Sequence, residues 1–94
     1  MILFSPEAVA DVERLRVFLD RNNSDAARRA LASIWAAIDR LQEFPDLGRP
    51  SSDADIRQIV IRFGGSGYII RYSVLHDERH ILITRMWHGR EARP

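Results

Sequence analysis

Residues 56–88 decide the fold, and they read IRQIVIRFGGSGYIIRYSVLHDERHILITRMWH. From Ile56 to Phe63 the side chains alternate with a period of two, which is typical of a β-strand. Residues 64–67, Gly-Gly-Ser-Gly, predict a turn, and Tyr68–Leu75 is an almost unbroken run of β-forming residues. A second predicted turn, residues 76–79, leads into the last strand. Two short turns between three strands predict an antiparallel meander. In the last strand, one face is predicted to carry Ile81, Ile83, Arg85 and Trp87, and the other Leu82, Thr84, Met86 and His88.

Before Pro45 the apolar period is about 3.6, which predicts two helices. Ser5 is the predicted N-cap of the first helix, with Pro6 at the first helical position and Glu7 and Asp11 where the helix dipole favours negative charge. The second helix is predicted to end at Phe44, before Pro45. The apolar stripes are Ala8, Val12, Leu15 and Leu19 in the first helix, and Ala27, Leu31, Ile34, Ile38 and Leu41 in the second.

These elements form one unit. Leu3 and Phe4 predict the end of a short first strand, so the predicted order is β-α-α-β-β-β over a single domain, residues 1–94. The predicted class is α+β, with a helical hairpin packed on a small antiparallel sheet.

Composition narrows the class of protein. The chain is 46% hydrophobic and 29% charged, as expected of a soluble globular domain. No apolar run approaches the roughly 20 residues that span a bilayer, so we expect no membrane partner. The first residues lack the basic region of a signal peptide, and the chain has no cysteine; both fit the cytoplasm.

The charge is unevenly distributed. Residues 1–48 hold six Arg against eight Asp and Glu, whereas residues 49–94 hold eight Arg against five. This asymmetry suggests that the C-terminal half meets an acidic partner. All 14 basic residues are Arg, which indicates either bidentate anion contacts or the codon bias of a GC-rich genome.

The last residues concentrate the polar side chains: Arg85, His88, Arg90, Glu91 and Arg93. Such a set can hold a phosphate and move a proton, or it can be a solvated strand end with His88 as its cap. The strand arginines Arg57, Arg62 and Arg71 either line an anionic groove or are ordinary surface. The glycine-rich turn lacks the lysine and the spacing of a phosphate-binding loop, and His76 and His80 match no metal site. We therefore expect no cofactor and no metal.

Four segments together resemble toxins of the RelE/ParE superfamily, from type II toxin–antitoxin systems. The segments are Ser5–Ala8, Phe44–Pro50, Gly67–Tyr72 and Ile83–Glu91. The resemblance covers nearly the whole chain and implies a helical hairpin packed on an antiparallel sheet.

The superfamily divides by target. RelE-like members cut mRNA in the ribosomal A site, whereas ParE-like members poison DNA gyrase. The RelE pattern has a catalytic arginine directly after the Gly-Tyr of the central strand, where this chain has Ile69. It also has a late residue, typically tyrosine, beyond the Arg-Glu pair, and no aromatic residue follows Glu91 here. Losing one phosphate-clamping group typically costs roughly 10²–10³ in rate.

The ParE-like function is therefore the favoured interpretation, with DNA gyrase as the target. A RelE-like endoribonuclease acting on the ribosome and mRNA is the alternative, and Arg71 is the candidate to replace the missing arginine. For target binding the candidates are Arg85, His88, Arg90 and Arg93; for RNA cleavage they are Arg71, Arg85, His88, Arg90 and Glu91.

The resemblance also implies a cognate antitoxin that folds on binding. The predicted antitoxin contacts are Val12, Leu15, Leu19 and Trp35. Two further interpretations stay open: a degenerate toxin that keeps only antitoxin binding, and a nucleic-acid-binding module. The excess of three positive charges in the C-terminal half is small for the latter.

Overall fold

Two helices cover one face of a five-stranded sheet in the computed structural model, which describes residues 1–21, 24–53, 55–75 and 80–91. The elements in chain order are β1 (Ile2–Phe4), α1 (Pro6–Asp20), α2 (Ser24–Glu43), β2 (Arg49–Pro50), β3 (Ile56–Phe63), β4 (Ser66–Val74) and β5 (Ile81–His88). The predicted α+β class and element order are confirmed, with the two-residue β2 as an addition. Among the residues described, neither helix is both long and apolar enough to cross a membrane.

The sheet has the order β1-β5-β4-β3-β2. Strands β3, β4 and β5 form the predicted antiparallel meander, and Gly64, at φ 60°, supplies the left-handed turn conformation between β3 and β4. The sheet is not wholly antiparallel, because β1 pairs with β5 in parallel. This pairing ends at Phe4 and Ile83, so β1 covers only the first part of the outer edge of β5.

The junction between β1 and α1 is fixed by Ser5. Its Oγ accepts the Ala8 backbone N–H at 3.0 Å, which confirms Ser5 as the N-cap with Pro6 in the first helical turn. The same hydroxyl donates to the Thr84 carbonyl at 2.9 Å. One side chain therefore both starts α1 and ties it to β5.

The core lies between the helical hairpin and the sheet. From the helices it receives Ala8, Leu15, Ala30, Ile34, Ile38 and Leu41, and from the sheet Ile59, Tyr68, Ile70, Tyr72, Ile81, Ile83 and Met86. Tyr72 is fully buried, and its hydroxyl donates to the Pro45 carbonyl at 2.7 Å while accepting the Gly48 N–H at 2.8 Å. This bridge holds the segment between α2 and β2 against the sheet.

A bulge in β5 changes the face on which its later residues lie. Arg71 of β4 pairs with Arg85, but the next residue, Tyr72, pairs with Ile83, so Thr84 is an extra residue in β5. The predicted face assignment for β5 is therefore wrong beyond Ile83. The helix-covered face carries Ile81, Ile83, Met86 and His88, and Trp87 lies opposite Ile69 on the other face.

Candidate functional site: the end of strand β5

Beyond Ile83, side chains replace a neighbouring strand along the outer edge of β5. The carboxylate of Asp11 on α1 accepts the Met86 backbone N–H at 2.8 Å, and Arg14 Nη2 donates to the Met86 carbonyl at 2.9 Å. The carboxylate of Glu91 accepts the His88 backbone N–H at 2.8 Å. These bonds satisfy backbone groups that would otherwise form an open sheet edge.

Asp11 is the centre of this edge and is only 1% exposed. Arg85 donates to both of its carboxylate oxygens, from Nε at 2.8 Å and from Nη2 at 3.2 Å, and Arg14 Nη1 also contacts Oδ1. Burial by itself would raise the pKa of Asp11, but the bonds from Arg85, the Met86 N–H and Arg14 outweigh it and lower the pKa below its ordinary value. Asp11 is therefore ionised at neutral pH and belongs to a structural ion cluster.

Sequence reasoning missed this role. It placed Asp11 near the helix N-terminus for the sake of the helix dipole, whereas the side chain is buried against β5. The available signal was its position: Asp11 lies three residues after Ala8 and four before Leu15, on the buried stripe of α1. A carboxylate on a core-facing stripe needs partners, and Arg85 and Arg14 supply them. Arg14 was missed as well, and no periodicity marks it.

Glu91 holds the C-terminal segment against α1. Its Oε2 accepts from Arg14 Nε at 2.6 Å, and its backbone N–H donates to the His88 carbonyl at 2.9 Å. Both carboxylate oxygens of Glu91 are thus engaged within the domain.

His88 is a buried ring, 4% exposed, between Tyr68 and Phe18. The ring centroid of Tyr68 lies 5.0 Å away in an edge-to-face arrangement, and that of Phe18 lies at 5.3 Å. Nδ1 of His88 accepts the Arg90 backbone N–H at 3.0 Å. Burial, and then the positive charge of Arg90, lower the pKa of His88 below its ordinary value. The ring is therefore neutral at pH 7.

The face of the sheet opposite the helices, here called the open face, carries Val60, Arg62, Ile69, Arg71 and Trp87. The guanidinium of Arg71 stacks over the Trp87 ring at 4.7 Å, and its Nε donates to Gln58 Oε1 at 3.3 Å. Arg57 does not join this face, since it donates to the Gly48 carbonyl at 2.7 Å.

The structure thus brings Arg85, His88, Arg90 and Glu91 together at the end of β5, but in different states. Arg85 is paired with Asp11, His88 is buried and Glu91 is bound by Arg14, whereas the Arg90 side chain is exposed. Arg93 lies outside the described residues. Within the described ranges, no three His, Asp or Glu side chains are grouped to hold a metal ion.

A second site lies between the two helices, over β1. This apolar groove, here called the helix groove, has a volume of about 320 Å³ and is lined by Phe4, Val9, Val12, Glu13 and Trp35. Val9 is 57% exposed and Trp35 is 40% exposed, with the Trp35 ring packed edge-on against Phe4 at 5.6 Å.

The predicted antitoxin contacts divide between surfaces. Val12 and Trp35 line the helix groove. Leu15 has no exposed surface, so it supports α1 from within the core, and Leu19 lines a different cleft with Phe18. In the described chain the four side chains therefore do not lie on one continuous exposed surface.

Comparison with known proteins agrees with this architecture. Residues 2–93 match the family described as "ParE toxin of type II toxin-antitoxin system, parDE". Toxin RelE1 of Caulobacter vibrioides is 42% identical over 92 residues, covering 98% of this chain and 96% of that protein. Toxin RelE3 of the same organism is 34% identical over 88 residues, covering 94% and 92%. A solved structure titled "Chromosomal ParDE TA system from P. aeruginosa" superimposes with a TM-score of 0.72 and 90% coverage of both chains; at 19% identity this likeness shows the fold alone.

Proposed function

Because this chain belongs to the ParE toxin family of type II toxin–antitoxin systems, we propose that it arrests bacterial growth by binding DNA gyrase in the cytoplasm and that a cognate antitoxin neutralises it. The observation that carries the choice of mechanism is the state of the polar cluster on β5. Arg85 and Glu91 are held in ion pairs with Asp11 and Arg14, and Nδ1 of His88 is occupied by the Arg90 N–H.

Phosphodiester cleavage needs a group that accepts a proton and a cation that stabilises the phosphate, both within reach of one phosphate. Here the carboxylate of Glu91 is committed to Arg14 and a backbone N–H, and the ring of His88 faces the helices rather than the open face. The open-face position of the superfamily's RNase arginine is Ile69. A protein that binds its target without cutting RNA needs none of these groups free.

In this proposal Arg90 is the described residue that contacts the target, together with Arg93. The side chain of Arg90 is exposed. Two bonds hold the backbone around Arg90 in place: the Arg90 N–H donates to His88 Nδ1, and the neighbouring Glu91 accepts a hydrogen bond from Arg14. A fixed backbone reduces the conformational entropy lost when an exposed arginine is immobilised in an interface.

The alternative function is ribosome-dependent mRNA cleavage. It is supported by the names of the two Caulobacter relatives, RelE1 and RelE3. On this chain the alternative depends on Arg71, which stands on the open face two residues from Ile69 and stacks on Trp87. The interpretation predicts that Arg71 swings from Trp87 to a phosphate when RNA binds.

Two assays on the purified toxin separate the functions. The first follows supercoiling of a relaxed plasmid by DNA gyrase, and the second follows cleavage of mRNA on programmed ribosomes. We expect loss of supercoiling with intact mRNA, and addition of the antitoxin is expected to restore supercoiling. Cleaved mRNA together with normal supercoiling would replace the gyrase proposal by the alternative.

The helix groove is our proposed antitoxin surface. Val9 and Trp35 expose apolar area there, and burying that area under an amphipathic segment would provide the hydrophobic part of the affinity. A pull-down of the antitoxin by immobilised toxin tests this placement. The wild type is expected to retain the antitoxin, and the Trp35→Ala variant is expected to retain less of it.

A further inference from the structure

A second cleft lies between the helical hairpin and the β3–β4 turn, on the side away from the open face. This space, here called the hairpin cleft, has a volume of about 300 Å³. Phe18 and Leu19 of α1 and Ala26, Ala27 and Ala30 of α2 form one wall, and Phe63, Tyr68, His88 and Arg90 form the other. Neither the helix groove nor the open face shares these residues.

Two polar side chains that line the hairpin cleft, Tyr68 and His88, each have an atom that can form a further hydrogen bond. Tyr68 and His88 are 3% and 4% exposed, and among the described residues neither the Tyr68 hydroxyl nor His88 Nε2 has a hydrogen-bond partner. Within the described part of the chain, however, no buried side-chain nitrogen or oxygen lacks a partner. The two atoms must therefore touch solvent, and both residues line this cleft.

The protons on these atoms point to the kind of ligand. Because His88 Nδ1 accepts the Arg90 backbone N–H, the neutral ring carries its proton on Nε2 and donates from there. The Tyr68 hydroxyl is a second donor, and Arg90, another lining residue of the cleft, carries a guanidinium as a third. The first turn of α2, represented by Ala26 and Ala27, adds the positive end of a helix dipole. These groups together favour an anion.

The charge and the apolar lining of the hairpin cleft indicate which class of anion fits it. One guanidinium balances one negative charge and matches a carboxylate with two parallel bonds. A phosphate monoester carries about −1.5 to −2 near pH 7, more than this single arginine neutralises. The rest of the wall is apolar, with Phe18, Leu19 and Phe63 placed to cover a hydrocarbon body.

We propose that the hairpin cleft binds a small monocarboxylate with an apolar body. Its carboxylate is held by Arg90, Tyr68 Oη and His88 Nε2, and its body lies against Phe18 and Phe63. Loading this cleft changes the surroundings of Arg90, so the ligand also regulates access to an arginine that we assign to target binding. That regulatory consequence rests on the proposed function, whereas the binding itself does not.

The binding test is an NMR titration of the purified toxin with sodium 4-methylpentanoate, observing the ring signals of His88 and Tyr68. We expect saturable shifts with a dissociation constant in the millimolar range, about what a ligand of this size supports. The uncharged 4-methylpentanamide should bind at least about tenfold more weakly, because it loses the charged contact with Arg90. Inorganic phosphate should also bind more weakly than the carboxylate.

Matched variants assign the contacts. Arg90→Gln should weaken 4-methylpentanoate by about tenfold, and Tyr68→Phe, which removes only the hydroxyl, by about threefold to tenfold. Arg40→Gln is the control, since Arg40 lies on the last turn of α2, about 20 Å along the helix from Ala26, and it should leave the affinity unchanged. Unsaturable shifts, equal binding of the amide or of phosphate, or full affinity in Arg90→Gln would overturn the proposal. These results are independent of the gyrase assay.

Discussion

The carboxylate of Asp11 accepts the backbone N–H of Met86 at 2.8 Å, so that a helix side chain occupies the position where a longer β1 would bond to β5. This bond lies just beyond the last residue pair of β1 and β5. Asp11 thereby links the first helix, the edge of the sheet and two arginines. Most of what distinguishes the end of β5 from an open catalytic surface follows from that link.

Removing Asp11 should therefore be costly. Asp11→Ala leaves Arg85 and the Met86 N–H without their buried partner, and we expect the free energy of unfolding to fall by about 3–5 kcal/mol. Urea denaturation of the purified protein measures the change. Glu13→Gln on the same helix, an exposed partner of Arg16, is the control and should leave the denaturation midpoint nearly unchanged, because solvent screens this ion pair. Equal denaturation midpoints for Asp11→Ala and the wild type would refute the role given to this carboxylate.

Stability should also depend on pH through His88. Its pKa is lowered by burial in the folded chain, so the unfolded chain binds the proton first as the pH falls. The stability contributed by the neutral ring is full above an unfolded pKa of about 6.5 and is lost as the pH decreases from there to the folded pKa. His88→Phe keeps an aromatic ring beside Tyr68, and its loss of stability between pH 7.5 and pH 5 should be smaller than that of the wild type. Parallel pH profiles for the two proteins would show that His88 does not titrate as described.

The two tyrosines of β4 provide a matched pair. Tyr72→Phe removes a hydroxyl that bridges the Pro45 carbonyl and the Gly48 N–H, and it should cost about 1–3 kcal/mol because both backbone groups lose a partner. Tyr68→Phe removes a hydroxyl that bonds to no atom of the described residues, so its effect on stability should be within about 0.5 kcal/mol. Thermal or urea unfolding of both variants checks the pair, and equal losses would contradict the bonding described for Tyr72.

The sequence was sufficient for the elements but not for their contacts across the chain. The N-cap Ser5, the turn at Gly64 and the meander depend on neighbours within a few residues, and these three were predicted. The extra residue Thr84 has no local marker, because a bulge is decided by pairing with a partner strand. Because of this extra residue, Trp87 lies on the open face and Met86 lies in the core.

For the candidate site, the sequence located the cluster but not its state. Arg85, His88, Arg90 and Glu91 do lie together at the end of β5. That Arg85 and Glu91 are engaged follows from Asp11 and Arg14, which lie more than 70 positions away in the chain. The position of α1 along the edge of β5 cannot be inferred from periodicity, so the pairing could not be predicted.

Antitoxin binding should depend on the helix groove. Trp35→Ala removes the largest exposed aromatic ring of the groove, and we expect the dissociation constant of the antitoxin complex to rise at least about tenfold. Phe44→Ala, just beyond the C-terminal end of α2 and 53% exposed, is the control and should bind normally. Surface plasmon resonance with immobilised antitoxin gives both values. Unchanged affinity for Trp35→Ala, with the fold verified by circular dichroism, would move the antitoxin surface elsewhere.

The central claim is that the toxin acts by binding gyrase through Arg90 and cuts no RNA. The most direct measurement is the toxin concentration that halves supercoiling by purified gyrase, compared for the wild type, Arg90→Glu and the distant control Arg40→Glu. The account predicts inhibition by the wild type and by Arg40→Glu, and at least about tenfold more protein needed for Arg90→Glu. Full supercoiling at saturating wild-type toxin, or equal inhibition by Arg90→Glu, would contradict it.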